Sequence, residues 1–240
     1  MGLFDLLFGV SPLLRAIESG DQDRAKELIQ QGSYINQKAR VTGATPLFAA
    51  CIRNYRDIAE MLLSKGADVN SKLSTGKTIL HFMAEYKNKD SIDTVAFLLS
   101  KGAKIEIEDA NGNAFHAACQ NKDPAIAELL VQNGADIHKR NRKGLSPLHL
   151  CVFGRHAGLV GLLLDKGADV NDADNDAGAS PLHIAAANGD AEITNLLLAR
   201  QANPSIEEKN GRIPLEIAQA ILPSEHVVVK ILRQREEVEK

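Results

Sequence analysis

Ser146-Pro147-Leu148-His149 opens a stretch that runs through Leu162-Leu163-Leu164 and closes on Gly167-Ala168-Asp169-Val170-Asn171. Serine followed by proline marks a helix start. The hydroxyl accepts from free amides of the first turn, and proline suits that turn because it has no amide to leave unbonded. The leucine triplet ends a second, amphipathic helix. Glycine then stops it, because glycine tolerates the left-handed conformation at a helix end. The stretch therefore reads as a pair of short helices joined by a turn.

The pattern recurs in phase. Gly-Ala-Asp-Val-Asn stands intact at Gly66 to Asn70, with close copies at Gly102 to Glu106 and Gly134 to His138 and degenerate ones at Gly32 and Gln201. From 32 through 66, 102, 134, 167 and 201 the steps are 34, 36, 32, 33 and 34. An apolar triplet begins five residues before each later turn, at Met61, Phe97, Leu129, Leu162 and Leu196. The capped helix start returns as Thr45-Pro46-Leu47-Phe48 and Ser180-Pro181-Leu182-His183. Such a period is the mark of stacked supersecondary units. Gly144 and Gly178 fall where a hairpin turn between units is expected.

These residues resemble the ankyrin repeat, whose pattern joins a hairpin turn, Thr-Pro-Leu-His-x-Ala, two antiparallel helices and Gly-Ala-Asp-Val-Asn. The resemblance covers residues 11–240 and implies an all-α repeat fold, an ankyrin-type solenoid of helix-turn-helix units joined by β-hairpin turns. The expected single domain, 1–240, divides into an N-terminal cap (1–39), internal repeats 40–72, 73–108, 109–140, 141–174 and 175–207, and a C-terminal cap (208–240). Phe48 departs from the pattern's histidine and Ile79 from its proline. Unit 109–140 lacks a residue before His116, which predicts a poorly capped helix. Unit 73–108 has extra residues around Glu85 to Asp93, which predict a longer turn.

The composition fits this reading. The 240 residues carry a net charge of -3, hydrophobic residues make up 44%, and aromatics only 4% with no tryptophan. A core without large rings must be built from Ala, Leu, Ile and Val. The charge balance argues against a nucleic-acid coating protein. No apolar stretch approaches the roughly 20 residues of a membrane span. The N-terminal run from Met1 to Val10 lacks a basic region and contains Asp5, which makes it a poor signal peptide. A cytoplasmic monomer is expected. Leu3, Phe4, Leu6, Leu7 and Phe8 would fold over the first unit as a cap, with a membrane or partner anchor as the alternative; Arg233-Gln234-Arg235-Glu236-Glu237 would form a polar last helix.

Chemistry is not expected. His81, His116, His149 and His183 recur at the repeat spacing, and imidazoles on helices roughly 8–10 Å apart cannot share a zinc that needs each nitrogen about 2 Å away. Each histidine is expected to hydrogen-bond within its own repeat. Cys51, Cys119 and Cys151 fall on the Ala-rich helices and read as buried small hydrophobes. No phosphate loop, dinucleotide fingerprint or nucleophile elbow occurs. The chain is read as no enzyme, with no catalytic residue, cofactor or metal.

Function is then expected on the surface the scaffold leaves free. Carrying the family's contact positions onto this chain gives Arg40 and Arg53; Leu73, Lys77 and Tyr86; Asn111, Asn113 and Gln120; Arg140, Arg142, Lys143, Leu145 and Phe153; and Asp174, Asp176 and Asn188. The tips alternate in charge. Lys139, Arg140, Arg142 and Lys143 are basic, between an acidic tip with Glu106, Glu108 and Asp109 and another with Asp172, Asp174 and Asp176. Arg142 and Lys143 would pair with acidic groups of a partner, over apolar contact from Phe153 and Leu145. The expected function is protein or peptide binding through a concave face. The alternatives are a nucleic-acid or membrane-associated adaptor, or an accessory subunit of an enzyme.

Overall fold

In the computed structural model, residues 10–86, 91–121 and 123–239 are described. Leu3 to Phe8, read as a cap or an anchor, lie outside them, and so does most of the lengthened turn before Ser91. The chain forms two compact units, one up to Ala114 and one from Phe115.

The first unit holds α1 (Pro12–Ser19), α2 (Gln22–Gln30), α3 (Pro46–Ile52), α4 (Arg56–Ser64), α5 (Ile79–Glu85) and α6 (Ser91–Ser100). The second holds α8 (Ala125–Gln132), α9 (Pro147–Phe153), α10 (Ala157–Asp165), α11 (Pro181–Asn188), α12 (Ala191–Ala199), α13 (Pro214–Ile221) and α14 (Val227–Glu239). Between them in sequence lies the six-residue α7 (Ala114–Cys119), the shortest of the described helices. The described residues form no strand; an isolated bridge joins Glu108 and Asn113. The hairpin turns between repeats are each closed by a backbone bond, such as Leu73 to Lys77 at 2.8 Å and Asn141 to Leu145 at 3.0 Å, without a longer ladder.

Packing follows the repeat. In the first unit α1, α3 and α5 stack in one layer, with α2 and α4 behind them in another. In the second unit α9, α11 and α13 form one layer and α10, α12 and α14 the other. Leu47, Ala50, Leu182, Ala185 and Ala186 are fully buried between first helices, where small side chains permit close approach. Ile58 and Leu62, then Leu159, Val160, Leu163, Ile193 and Leu197, fill the space between layers. The final helix buries Val228, Val229 and Leu232 and leaves Arg233, Gln234, Arg235 and Glu237 exposed.

The helix starts show why the motif holds histidine. At α5, α9 and α11 the Thr78, Ser146 or Ser180 hydroxyl accepts from the backbone amide of the histidine three residues on. The ring Nδ1 of that histidine accepts in return from the cap residue's own amide, at 3.3, 3.3 and 3.1 Å. This is a capping box in which imidazole takes the part usually played by Glu. At α13 a Glu does so: Ile213 donates its amide to Glu216 at 2.9 Å. At α3, where Phe48 replaces histidine, the Thr45 hydroxyl still accepts from the Phe48 amide at 3.2 Å, and the reciprocal bond is lost.

The outer ring nitrogen binds the following repeat. Nε2 of His81, His149 and His183 donates to the carbonyls of Gly112, Ala179 and Arg212 at 3.1, 3.0 and 3.0 Å. His116 does the same to Lys139 at 2.7 Å. A carbonyl only accepts, so Nε2 carries the proton and Nδ1 is the acceptor. His81, His149 and His183 thus bond beyond their own repeat and tie it to the next hairpin, whereas the His116 bond stays within 109–140. Asparagine builds a parallel ladder. Asn36 donates to the Gly66 carbonyl and accepts from the Asp68 amide, both at 2.9 Å. Asn70 treats Gly102 and Lys104 alike, and Asn171 treats Gln201 and Asn203 alike.

Candidate partner-binding surface

The tips of neighbouring repeats touch through their backbones. Ser74 donates its amide to Thr42 at 2.9 Å in the first unit. In the second, Asp176 donates to Lys143 at 3.1 Å and Lys209 to Ala177 at 3.0 Å. This closeness demands glycine on the approaching tip. Gly43 and Gly144 have φ of +71° and +72°, and a Cβ on either would lie 2.7 Å from backbone of the next tip.

In the second unit a groove of about 370 Å³ opens over the exposed side of α9, α11 and α13. Phe153, Ala177, Ala179, Ile184, Ala187 and Ile217 supply its apolar wall, and His183, Asn188, Glu208, Asn210 and Arg212 its polar edge. Phe153 remains 63% exposed at its lip. The edge is internally bonded. Asn188 donates to the Val152 carbonyl at 3.0 Å, and its own carbonyl accepts from Arg155 at 2.6 Å. Glu208 accepts from Arg212 at 2.8 Å and from the Asn210 side chain at 2.9 Å. The Arg212 guanidinium and the Asn210 amide hold the Glu208 carboxyl below its ordinary range.

The alternating charges on the tips hold each other. Arg140 donates to Asp172 at 2.8 Å and to the carbonyls of Gly144 and Asp174 at 3.0 Å, with the Asp174 carboxylate 3.8 Å from its other nitrogen. Asp172 is buried, and it also accepts from the Asp174 amide and from Ser146. Burial acts to raise its pKa, but the Arg140 hydrogen bond and these donors outweigh it and keep the group below the usual carboxylate range. Burial depresses the pKa of His149, His81 and His183 against neighbouring carbonyls and carboxylates that act to raise it.

In the first unit the exposed side carries aromatic rings. Tyr86 stacks on Phe82 at 4.1 Å and 20°, and Phe82 meets Phe48 edge-on at 5.1 Å. Tyr86 is 57% and Val41 68% exposed. Lys77 is half-buried and paired with Glu85.

The sequence-derived contact set therefore divides. Arg40, Arg53, Asn111, Gln120, Arg142, Lys143, Asp174 and Asp176 are exposed, as are Tyr86 and Phe153; Leu73 and Leu145 are half-buried. Asn113 is 1% exposed, with its side chain on Glu106, so it faces no ligand. Arg140 is committed to the adjacent tip rather than free for a partner. The groove brings together Phe153 and Asn188, while Leu145, Arg142 and Lys143 do not line it. Sequence reasoning missed Ile184 and Ile217, although each directly follows the residue that completes the capping box, His183 or Glu216. It also missed Phe82, at the equivalent place after His81.

The cysteines are all buried. Burial pushes the Cys51 thiol up to about 12, against the lowering effect of Arg56. Cys151 is raised by burial and by the adjoining Cys119 thiol. Among the described residues no group of three or more His, Cys, Asp or Glu is placed to hold a metal ion, and no helix is long and apolar enough to cross a membrane.

The family model described as ankyrin repeats (3 copies) matches residues 2–73, 80–174, 115–208 and 148–239. Ankyrin repeat and SOCS box protein 11 of Danio rerio is 35% identical over 106 residues, which is 44% of this chain and 35% of that protein. Ankyrin repeat and SOCS box protein 16 of Mus musculus is 30% identical over 198 residues, 66% of this chain and 43% of that one. The chain thus spans less than half the length of either relative. Among solved structures, the ankyrin repeat domain of human ASB11 superposes with a TM-score of 0.78 at 28% identity, covering 94% of this chain and 97% of the other. That of Bcl-3, a member of the IkappaB protein family, gives 0.77 at 28%, covering 94% and 99%.

Proposed function

The chain belongs to the ankyrin repeat family, and from that premise we propose that it is a non-catalytic protein-binding module that takes a protein or peptide on the exposed side of its first helices and on its hairpin tips. One observation carries the reading. The recurring polar residues are consumed by the scaffold, whereas large apolar side chains that do not recur, Tyr86 and Val41 in the first unit and Phe153 in the second, are exposed. Exposed apolar surface with a polar rim is characteristic of interaction sites. The opposed tip charges weigh against a nucleic-acid adaptor, because a phosphate backbone favours a continuous positive track and Arg140 is neutralised by Asp172.

The test is affinity capture with quantitative mass spectrometry. A variant carrying Tyr86→Ala, Arg142→Ala, Lys143→Ala and Phe153→Ala is compared with one altered at the exposed second-helix residues Asp23, Glu60, Asp165 and Glu192. The first variant should lose at least one partner that the second keeps, with melting temperatures unchanged. Identical partner sets for both would reject the reading.

A further inference from the structure

We propose that Asn111 is a self-modifying site: the Gly112 nitrogen attacks its side-chain amide, and the succinimide that forms opens to aspartate or isoaspartate. Asn-Gly steps occur at Asn111, Asn133, Asn188 and Asn210. Glycine has no side chain to obstruct the attack, so the sequence ranks all of them alike. The structure separates them.

Three are held at both groups that would react. The Gly134 amide donates to the Val131 carbonyl at 3.2 Å, and the Asn133 side chain to the Leu129 carbonyl at 2.8 Å. Gly189 donates to Ala186 at 3.2 Å, and the Asn188 side chain to Val152 at 3.0 Å. Gly211 donates to the Glu208 carbonyl at 2.8 Å, and the Asn210 side chain to the Glu208 carboxylate at 2.9 Å. At each of these steps both groups must leave a partner before they can meet. Asn111 is exposed, and its side chain has no partner among the described residues. The Gly112 amide has none either.

The residue missing from this repeat accounts for the difference. The turn glycine stands five residues before Phe48, His81, His149, His183 and Glu216 at the other tips. There its φ lies between +66° and +85°, and its amide closes the turn on Ala39, Leu73, Asn141, Asn175 or Glu208. Gly112 stands only four residues before His116. Its φ opens to +122°, and the turn is closed instead through its carbonyl, which accepts from the Asp109 amide at 2.8 Å. The Asp109 carboxylate takes the Asn111 backbone amide at 2.7 Å, so the tip is shaped without the Asn111 side chain. Gly112 is buried, and a buried N–H without an acceptor is unfavourable. Ring closure consumes that N–H.

The step needs only solvent. The Gly112 nitrogen loses its proton to water and bonds to Asn111 Cγ. The Cγ–Nδ2 bond breaks, and the amide nitrogen takes up a proton and leaves as ammonia. Water then opens the ring. Attack at Cγ gives aspartate, and attack at the main-chain carbonyl gives isoaspartate, whose main chain runs through Cβ. Both products place a negative charge on the tip. Isoaspartate also lengthens the main chain beside the Gly112 carbonyl, which accepts from His81 Nε2 at 3.1 Å and so ties α5 to this tip.

The experiment incubates the purified, folded full chain at mildly alkaline pH, digests it in acid and reads each step by mass spectrometry with electron-transfer fragmentation, which distinguishes isoaspartate from aspartate. Asn111 should convert about tenfold or more faster than Asn133, Asn188 and Asn210, each of which must first give up two hydrogen bonds. In urea the rates should converge. The aged chain should melt at a lower temperature than the fresh one. Asn111→Gln, whose longer side chain closes a larger ring only slowly, should remove both the conversion at that position and the fall. Asn111 converting no faster than the others in the folded chain would overturn the assignment, and so would a folded chain that converts at none of them. A difference that persists in urea would place its cause in the local sequence and overturn it too. An equal fall in melting temperature for aged Asn111→Gln would overturn the consequence drawn for the His81 bond.

Discussion

Gly144 is held where a hydrogen fits and a methyl group does not. Its φ is +72°, and an added Cβ would meet Asn175 Cα at 2.7 Å and the Asp174 carbonyl at 2.9 Å. Gly144→Ala should therefore cost about 1–3 kcal/mol in urea unfolding. Gly158→Ala is the comparison. That glycine is on α10 with nothing within 4 Å of its ideal Cβ, so alanine should be neutral or stabilising by up to about 1 kcal/mol. Equal effects would mean that the tips do not approach as described. The thiols give a second check at this scale. With Cys51 pushed to about 12 and Cys151 raised by burial, neither forms an appreciable nucleophilic thiolate near neutral pH. Iodoacetamide should label both only after denaturant is added, and rapid labelling of the folded chain would contradict their burial.

At the scale of the helix, the start signal decides stability. Thr45→Ala removes one bond, from the Phe48 amide, and should cost about 1 kcal/mol. Ser146→Ala removes the equivalent bond, the 2.7 Å contact with His149 Nδ1 and a donor to buried Asp172, and should cost distinctly more. A pair of denaturation curves decides between them. The helices were legible in the sequence because their limits are chemical: Pro after Ser or Thr begins them and glycine ends them. The histidine's reach into the next hairpin was less legible, because it depends on a carbonyl some 30 residues away, as in His149 to Ala179. The contact set was legible only in part. Exposure at Phe153 follows from helical phase, but the fate of Asn113 and Arg140 turns on which tip residue meets which. Spacing alone could not show that opposite charges on adjoining tips would satisfy each other.

For the whole molecule, these local devices combine into a pH response. His81, His149 and His183 titrate below their usual 6.5 when folded, so the unfolded chain takes up protons first as pH falls. Their contribution is complete above about 6.5 and is lost on acidification below it. Asp172 sits below 3.8 in the folded chain, so its contribution is complete above that value and is lost only at still lower pH. Urea midpoints should be level from about pH 7 to 8 and fall by about pH 5.5, with a further fall near pH 3; a midpoint that rises on acidification would contradict the buried neutral imidazoles. The ladders of Asn36, Asn70 and Asn171 have a consequence for descent as well. Each such asparagine sits on one module and secures the loop of its successor. An ancestral gene could therefore grow or shrink by whole multiples of the period far more readily than by fragments, since a partial duplication would strand a hook without its eye.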